Sequence, residues 1–120
     1  MTITPVFNLP VAMELWESHM HEPWADYKGA DMYAVLDNYE IVGGFAVYHD
    51  TSGGISGTFC SGWAKHGAKV PTDRIIKQIA NNYGDLYFKT DKRPAKILLE
   101  KIGKKVKNTS RFGYYIVNKE

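Results

Sequence analysis

Four histidines and one cysteine have the widest chemical repertoire in this chain. His19 and His21 are two positions apart, and on a helix that spacing turns their side chains about 200° from each other. The pair therefore cannot grip one metal ion, and a single cysteine excludes a thiolate zinc cluster, so no metal site is expected. Cys60 has no basic neighbour in sequence that would activate its thiol, which is typical of a small, buried apolar side chain.

Two further histidines and one serine carry groups that could take part in catalysis. His49 precedes Asp50 at the end of a predicted strand, which fits either a general base or a hydrogen-bonded edge residue. Ser61 lacks the Gly-x-Ser-x-Gly context of a hydrolase nucleophile, so a hydrolase is not indicated. His66 lies in a loop rich in cationic and small residues, residues 64–72.

Positive charge is concentrated in the last quarter of the chain. Residues 89–120 carry ten Lys or Arg against three Asp or Glu, although the net charge of the whole chain is only +2. Such a patch favours a polyanionic partner such as a nucleic acid. The side chains that would line this surface are Lys101, Lys104, Lys105, Lys107, Arg111, Tyr114 and Tyr115. A solvated surface is the alternative, because lysines outnumber the arginines that make specific forked contacts.

Short runs of β-branched and aromatic residues predict seven strands. They cover residues 3–7, 32–36, 41–48, 55–63, 86–90, 105–107 and 112–117. Turn residues at 37–40 and 50–54 make the second, third and fourth strands an antiparallel meander, and residues 108–110 join the last two strands as a hairpin.

Apolar residues at helical spacing predict three helices between these strands. Their predicted boundaries are Asn8 as N-cap with Pro23 as stop, Pro71 and Thr72 as start with Gly84 as end, and Asp91 as N-cap with Gly103 as C-cap. Residues 24–31 are predicted as a loop or a short helical turn.

Length and composition indicate one domain over residues 1–120. A chain of 120 residues with 44% hydrophobic and 23% charged residues is ordinary for a globular domain. The single cysteine favours a reducing compartment, and the chain shows neither a signal-peptide pattern nor an apolar stretch of ~18–20 residues. We therefore expect a cytoplasmic α/β domain that does not interact with a membrane.

The order of elements, β-α-β-β-β-α-β-α-β-β, is similar to that of the GNAT superfamily of N-acetyltransferases. Residues 90–104 resemble the family's late motif of Asn, Ala, then Leu-Tyr-Glu-Lys-Leu-Gly-Phe, with Ala95, Leu98, Glu100, Lys101 and Gly103 in register. The resemblance implies an α/β (α+β) fold with a mixed, mostly antiparallel twisted sheet of six to seven strands and three to four helices. It also implies acetyl-CoA as cofactor and an amine as acceptor.

The resemblance also reveals replaced functional residues. Leu99 stands where many family members carry the tyrosine that protonates the departing coenzyme A thiolate, so no catalytic residue is assigned. The loop at 64–72 keeps only Gly67 of the family's Gln/Arg-x-x-Gly-x-Gly/Ala pattern, and Pro71 removes one backbone N–H near the next helix. Lys92 replaces the usual asparagine.

In this family, backbone donors on the fourth strand face the thioester, and the following loop and helix hold the pyrophosphate. The cofactor-binding residues implied here are Phe59, Cys60, Ser61, Lys65, His66, Gly67, Ala68, Lys69, Thr72, Lys92 and Arg93. The first helix would border the acceptor cleft, where a carboxylate could take a proton from the amine or simply face solvent. The candidates are Glu14, Glu17, Glu22, Asp26 and Asp31, with Trp16, Trp24, Tyr27, Tyr33 and Tyr39 as pocket-lining or core aromatics.

Three functions stay open. The first is an acetyl-CoA-dependent N-acyltransferase in which the amine attacks the thioester directly. The second is a non-catalytic protein similar to the short GNAT-like internal virion proteins of tailed phages, a virion component or a binder of a host protein, found in the host cytoplasm or the virion. The third is nucleic-acid binding through the basic patch, and a homodimer is a further open assembly. The transferase hypothesis requires that the sheet open beside Gly67.

Overall fold

The computed structural model describes all 120 residues. It contains three α-helices, α1 Pro10–Met20, α2 Thr72–Tyr83 and α3 Arg93–Ile102, and a 3₁₀ turn at Trp24–Tyr27. The strands are β1 Thr2–Pro5, β2 Asp31–Asp37, β3 Glu40–Ser52, β4 Ile55–Ala64, β5 Leu86–Thr90, β6 Lys104–Asn108 and β7 Gly113–Val117. They form one sheet in the order β1-β2-β3-β4-β5-β7-β6.

The sheet is mixed and mostly antiparallel, which confirms the predicted fold class. β4 and β5 run parallel, whereas β1 with β2, β2 with β3, β5 with β7 and β6 with β7 are antiparallel. By their internal contacts the residues form two compact units. The first unit comprises Met1–Tyr48 and Ser61–Val70, and the second comprises His49–Cys60 and Pro71–Glu120. One domain over residues 1–120 stays a prediction.

In the first unit, α1 covers part of the sheet with a narrow buried stripe. Pro10 occupies the first turn as predicted, but the N-cap is Leu9 and makes no side-chain hydrogen bond, so the prediction of Asn8 as cap is wrong. The helix buries Ala12 and Trp16, and Trp16, 1% exposed, packs against Met32 of β2. It ends at Met20, before Pro23, because the next residue turns into the left-handed region.

The second unit is built around β5. All five residues of β5 pair with β7, and the strand matches its predicted boundaries. The α2 helix buries Ile75, Ile76 and Ile79 and stops before Gly84, as predicted. The α3 helix has Lys92 rather than Asp91 as N-cap, because the backbone N–H of Lys92 donates to the Thr90 hydroxyl at 3.0 Å and directs the chain into the helix one residue later.

Candidate functional site

The contact between β4 and β5 is confined to one point. The parallel register consists of a single pair, Phe59 opposite Tyr87, whose ring centroids are 5.6 Å apart. Gly57 makes this contact feasible, since a Cβ at that position would lie 2.7 Å from the Tyr87 ring. Parallel strands normally share evenly spaced hydrogen bonds along their length. The two strands are therefore not zipped together, which is the arrangement that the transferase hypothesis requires.

Cys60 follows this contact point and is chemically inert. Its side chain is 5% exposed, and burial raises the pKa of its thiol to about 12. The thiol therefore stays protonated at neutral pH and cannot act as a nucleophile. Phe59 is fully buried, so these two candidate residues would serve a ligand through the backbone rather than through their side chains.

The loop after β4 offers backbone donors in the first unit. Gly67 has a φ of 84°, and the N–H groups of Ala68 and Val70 close tight turns on Lys65 and Ala68 at 3.1 and 3.0 Å. The exposed backbone N–H groups of His66, Gly67 and Lys69 donate no hydrogen bond within the chain. Successive free N–H groups around a left-handed residue form a concavity that suits anions.

The basic side chains of this loop differ in availability. Lys65 is already engaged, because its Nζ lies 2.5 Å from Oε1 of Glu40 in an exposed ion pair. Lys65 and His66 both line a cavity in the first unit. Lys69 is exposed and has no ion-pair partner, so it is the loop cation left to meet a phosphate.

The remaining cofactor candidates lie at helix starts in the second unit. Thr72 is the first residue of α2, where the acidic side chain of Asp73 also occupies the first turn. A carboxylate suits the positive end of a helix but opposes a bound phosphate there. Lys92 and Arg93 are exposed at the start of α3, and Nζ of Lys92 lies 4.0 Å from the Asp91 carboxylate. The positive side chains at the start of α3 are therefore available to a phosphate, whereas the carboxylate of Asp73 opposes a phosphate at the start of α2.

The position at which the resembling motif carries a tyrosine is part of the core of this protein. Leu99 is 3% exposed and is the buried residue of α3. Glu100 beside it accepts a hydrogen bond from the Tyr115 hydroxyl at 3.3 Å and pairs with Lys105 at 3.5 Å. A proton donor cannot reach a ligand from the Leu99 position.

A network of hydroxyl groups lies in the first unit, where sequence reasoning placed only separate candidates. The Tyr27 hydroxyl donates to the exposed carboxylate of Glu22, and the Tyr48 hydroxyl lies 2.7 Å from Oγ of Ser61. The rings of Tyr27 and Tyr48 meet edge to face at 5.6 Å. The network thus joins a carboxylate to the candidate Ser61 on β4 through two half-buried tyrosines.

The electrostatics of this network keep Tyr27 protonated. Burial, together with the hydrogen bond to Glu22 and its negative charge, raises the pKa of Tyr27 well above its ordinary value, and the Ser61 hydroxyl acts in the opposite direction. Tyr27 is therefore a hydrogen-bond donor that orients Glu22, not a base. Tyr48 was missed because its role depends on which β4 residue lies across from it, and the sequence carries no signal for that register.

Most of the basic C-terminal residues already have local partners or a structural reason. Arg111 lies 3.9 Å from Asp91, Lys105 pairs with Glu100, and Lys107 donates to the carbonyl of Gly53. β6 is the last strand of the sheet and all five of its residues are exposed. Lysines on an exposed edge strand oppose pairing with another chain. That accounts for three of the lysines, Lys104, Lys105 and Lys107, without a nucleic acid.

The sheet order, the single parallel contact at β4 and the alternation of strands and helices define a fold, that of the GNAT-type N-acetyltransferases. The N-acetyltransferase PseH of Campylobacter jejuni is similar to this chain with a TM-score of 0.68 at 11% identity, over 99% of this chain and 98% of that one. A GNAT acetyltransferase of Elizabethkingia anophelis with acetyl-CoA bound gives 0.66 at 13% identity, over 98% and 97%. The ribosomal-protein-alanine N-acetyltransferase of Brucella melitensis gives 0.68 at 9% identity, over 98% and 99%.

At such low identities the likeness establishes the fold. No protein-family model matches the sequence, and none of the curated proteins does. No helix of this protein is both long and apolar enough to cross a membrane.

Proposed function

We propose that this protein binds an acyl-CoA thioester and transfers the acyl group, acetyl in the simplest case, to an amine. The observation that carries the proposal is the single parallel contact of Phe59 with Tyr87, because strands that meet at one point leave backbone groups and space for an extended pantetheine arm. Similar structures, including that from Elizabethkingia anophelis, have been solved with acetyl-CoA bound.

The loop after β4 supplies donors for phosphate. The free N–H groups of His66, Gly67 and Lys69 and the unpaired Lys69 side chain suit a pyrophosphate. Further contacts are proposed for the other residues that the resemblance implies, Ser61, Lys65, Ala68, Thr72, Lys92 and Arg93. Neither side chain of Phe59 or Cys60 would touch the reacting atoms, since both are buried.

The transfer step needs little covalent chemistry from the protein. The amine nitrogen attacks the thioester carbonyl carbon, the N–C bond forms, the C–S bond breaks, and the amide and free coenzyme A are released. The nitrogen gives up two protons in all: the one lost by the ammonium before the attack goes to a carboxylate or to water, and the one lost after the attack is taken up by the thiolate. Glu22, held by Tyr27, is the carboxylate that we propose for the amine proton.

Calorimetry tests the cofactor part of the proposal directly. Titration of the whole chain with acetyl-CoA and with coenzyme A should give saturable binding, and Lys69→Ala should weaken it at least fivefold. Lys28→Ala is the matched control, because Lys28 is an exposed lysine of the same unit outside the loop. An absence of binding at millimolar acetyl-CoA would remove the proposal.

A second candidate is a non-catalytic GNAT-fold protein that binds another protein, including the phage virion or host-binding type that the resemblance suggests. The observation that favours it is the buried Leu99 at the position of the family's acid. A panel of amines separates the two candidates, since bound acetyl-CoA without turnover on any amine supports the second and turnover supports the first.

A further inference from the structure

A cavity of about 500 Å³ lies within the first unit. Three segments enclose it, namely α1, the turn between β2 and β3, and the end of β4 with the loop that follows. Its lining residues are Val11, Leu15, His19, Tyr39, Glu40, Ile41, Trp63, Lys65 and His66. Sites for small molecules commonly measure roughly 300–1,000 Å³, so the volume suits a ligand of that size.

Rigid packing preforms the apolar part of the cavity. The imidazole of His19 lies flat on the indole of Trp63, with ring centroids 4.1 Å apart and planes 6° from parallel. Gly44 allows the indole to lie against β3, since a Cβ there would be 2.9 Å from its Nε1. Val11 is 56% exposed and the side chain of Ile41 is half-buried, so apolar surface remains open to a ligand.

The polar end of the cavity is rich in donors. The Glu40 carboxylate is neutralised by Lys65 at 2.5 Å, so it adds little net negative charge. His66 is exposed beside them, and its backbone N–H donates no hydrogen bond within the chain. An anionic group on a ligand would find the N–H donors of Lys65 and His66 at this end, whereas the one carboxylate, that of Glu40, is already paired.

Tyr39 at the rim is held in an unfavourable conformation. Asn38 and Tyr39 have φ values of 50° and 67°, so both central residues of the two-residue turn are left-handed, and glycine is favoured at the second of them. The Tyr39 side chain is fully exposed, so packing within the chain does not explain a tyrosine here. Strained residues of this kind concentrate at ligand-binding sites.

We propose that this cavity binds a small molecule with an aromatic body and one anionic group, a carboxylate or a phosphate. Trp63, Val11 and Tyr39 contact the aromatic body, and Lys65 and His66 meet the anion. This site goes beyond the transfer reaction, because its ligand is neither the acyl donor nor the acceptor amine, although Lys65 and His66 are also among the residues proposed to contact coenzyme A.

Probes that share one body and differ in end group test the ligand class. They are 3-phenylpropionate, 2-phenylethyl phosphate, 3-phenylpropanamide and 3-phenylpropylamine. Shifts of the indole N–H resonances report binding, because Trp63 lines the cavity whereas Trp16 and Trp24 do not. At least one anion should bind tenfold tighter than the amine and shift Trp63, and the tighter of the two anions identifies the end group. Equal affinities for all four probes, or no binding, would overturn the proposal.

Two substitutions tie the binding to the cavity. Tyr39→Gly should weaken the preferred probe at least fivefold while raising thermal stability. Val11→Glu should abolish binding of the anions, and a carboxylate in the first turn of α1 is compatible with the helix. Ser18→Glu, an exposed position on the same helix, is the control that should bind normally. Unchanged probe binding in Tyr39→Gly and Val11→Glu would contradict the assignment.

Acetyl-CoA titrated into Val11→Glu separates this proposal from the transferase. Without the probe, the affinity for acetyl-CoA should stay within twofold of that of the unaltered chain, because Val11 is not among the residues proposed to contact coenzyme A. Loss of acetyl-CoA affinity in Val11→Glu would make the cavity part of the coenzyme A site and would overturn the proposal.

Discussion

The two units of this protein differ in the features that they contain. The second unit holds the segment that resembles the family motif, whereas the first holds the hydroxyl network and the ligand-sized cavity. The first carries seven Asp or Glu against three Lys, and the second carries six against twelve Lys or Arg.

The motif in α3 is best explained by packing. Leu99 is buried, and a Cβ on Gly103 would collide with the carbonyl oxygen of Ile116 in β7. Both positions are therefore constrained by the sheet beside the helix and not by a substrate. Packing alone is therefore sufficient to explain these two residues of the motif, because a close-packed face requires side chains of particular shapes.

The largest expected effect concerns Cys60, whose side chain is buried on β4. Burial raises the pKa of Cys60 to about 12, whereas an unfolded thiol titrates near about 8.5 to 9. Above that value the unfolded chain loses its proton first, so the stability contributed by the protonated thiol falls as the pH rises toward the folded pKa. At about 1.4 kcal/mol per pH unit, about 4 kcal/mol is lost by the upper end of this range.

Denaturant unfolding between pH 8 and 12 measures this loss. Cys60→Ala should show a flatter pH profile than the unaltered chain, whatever its stability at neutral pH. Alkylation of Cys60 at pH 8 should proceed only through opening of the fold. Rapid alkylation of Cys60 in the native chain would mean that its thiol is accessible without unfolding, which would contradict its burial in the second unit.

The second expected effect tests whether a tyrosine at position 99, where the resembling motif carries one, could act as an acid in this protein. Leu99→Tyr should destabilise the fold by about 3 kcal/mol, because a larger ring and an unpaired hydroxyl enter a filled interior. It should not increase the turnover of acetyl-CoA with any amine. Leu99→Met is the control that preserves volume, and its effect on unfolding should stay below about 1.5 kcal/mol. A gain in turnover in Leu99→Tyr would show that an acid at this position of α3 can reach the reacting thiolate.

The third expected effect concerns the hydroxyl network. Tyr27→Phe removes the donor that orients Glu22 and should lower kcat about tenfold, equivalent to about 1.4 kcal/mol, with KM for acetyl-CoA unchanged. Tyr33→Phe is the control, because the Tyr33 ring stacks on Phe45 at 4.8 Å in the same unit. Equal kinetics for the two variants would exclude a role of Tyr27 in positioning. Glu22→Gln should also lower kcat, because an amide cannot take up the proton of the amine.

Sequence patterns predicted the elements that are defined by local residues. β5 and α2 match because strong periodicity is bounded by clear stop residues, such as Gly84 after α2. The predicted N-caps Asn8 and Asp91 were wrong, and the observed N-caps are Leu9 and Lys92. The direction in which the chain enters a helix decides which residue caps it, and a local pattern does not encode that direction. β3 continues to Ser52, so the predicted turn at 50–54 is confined to its two glycines.

The site could be predicted only in part. Glu22, Tyr27 and Ser61 were named for separate reasons, but their connection through Tyr48 depends on long-range contacts that no local pattern encodes. The same holds for the single contact of Phe59 with Tyr87, since the crossover through α2 sets where parallel strands meet. The cavity beside Tyr39 was missed because its three segments are distant in sequence.

The smallest expected effect is a gain, and it belongs to the first unit. A left-handed conformation costs a non-glycine residue about 1–2 kcal/mol, and Tyr39→Gly removes that cost. Glycine loses more backbone entropy on folding, which lowers the gain by about 0.5–1 kcal/mol. The net increase in the free energy of unfolding should be about 0.5–1 kcal/mol, measured by urea titration. Asn38→Gly should gain less, because asparagine tolerates this region better than tyrosine does. A loss of stability in Tyr39→Gly would mean that the ring supports the fold, and the reason to assign it to a ligand would disappear.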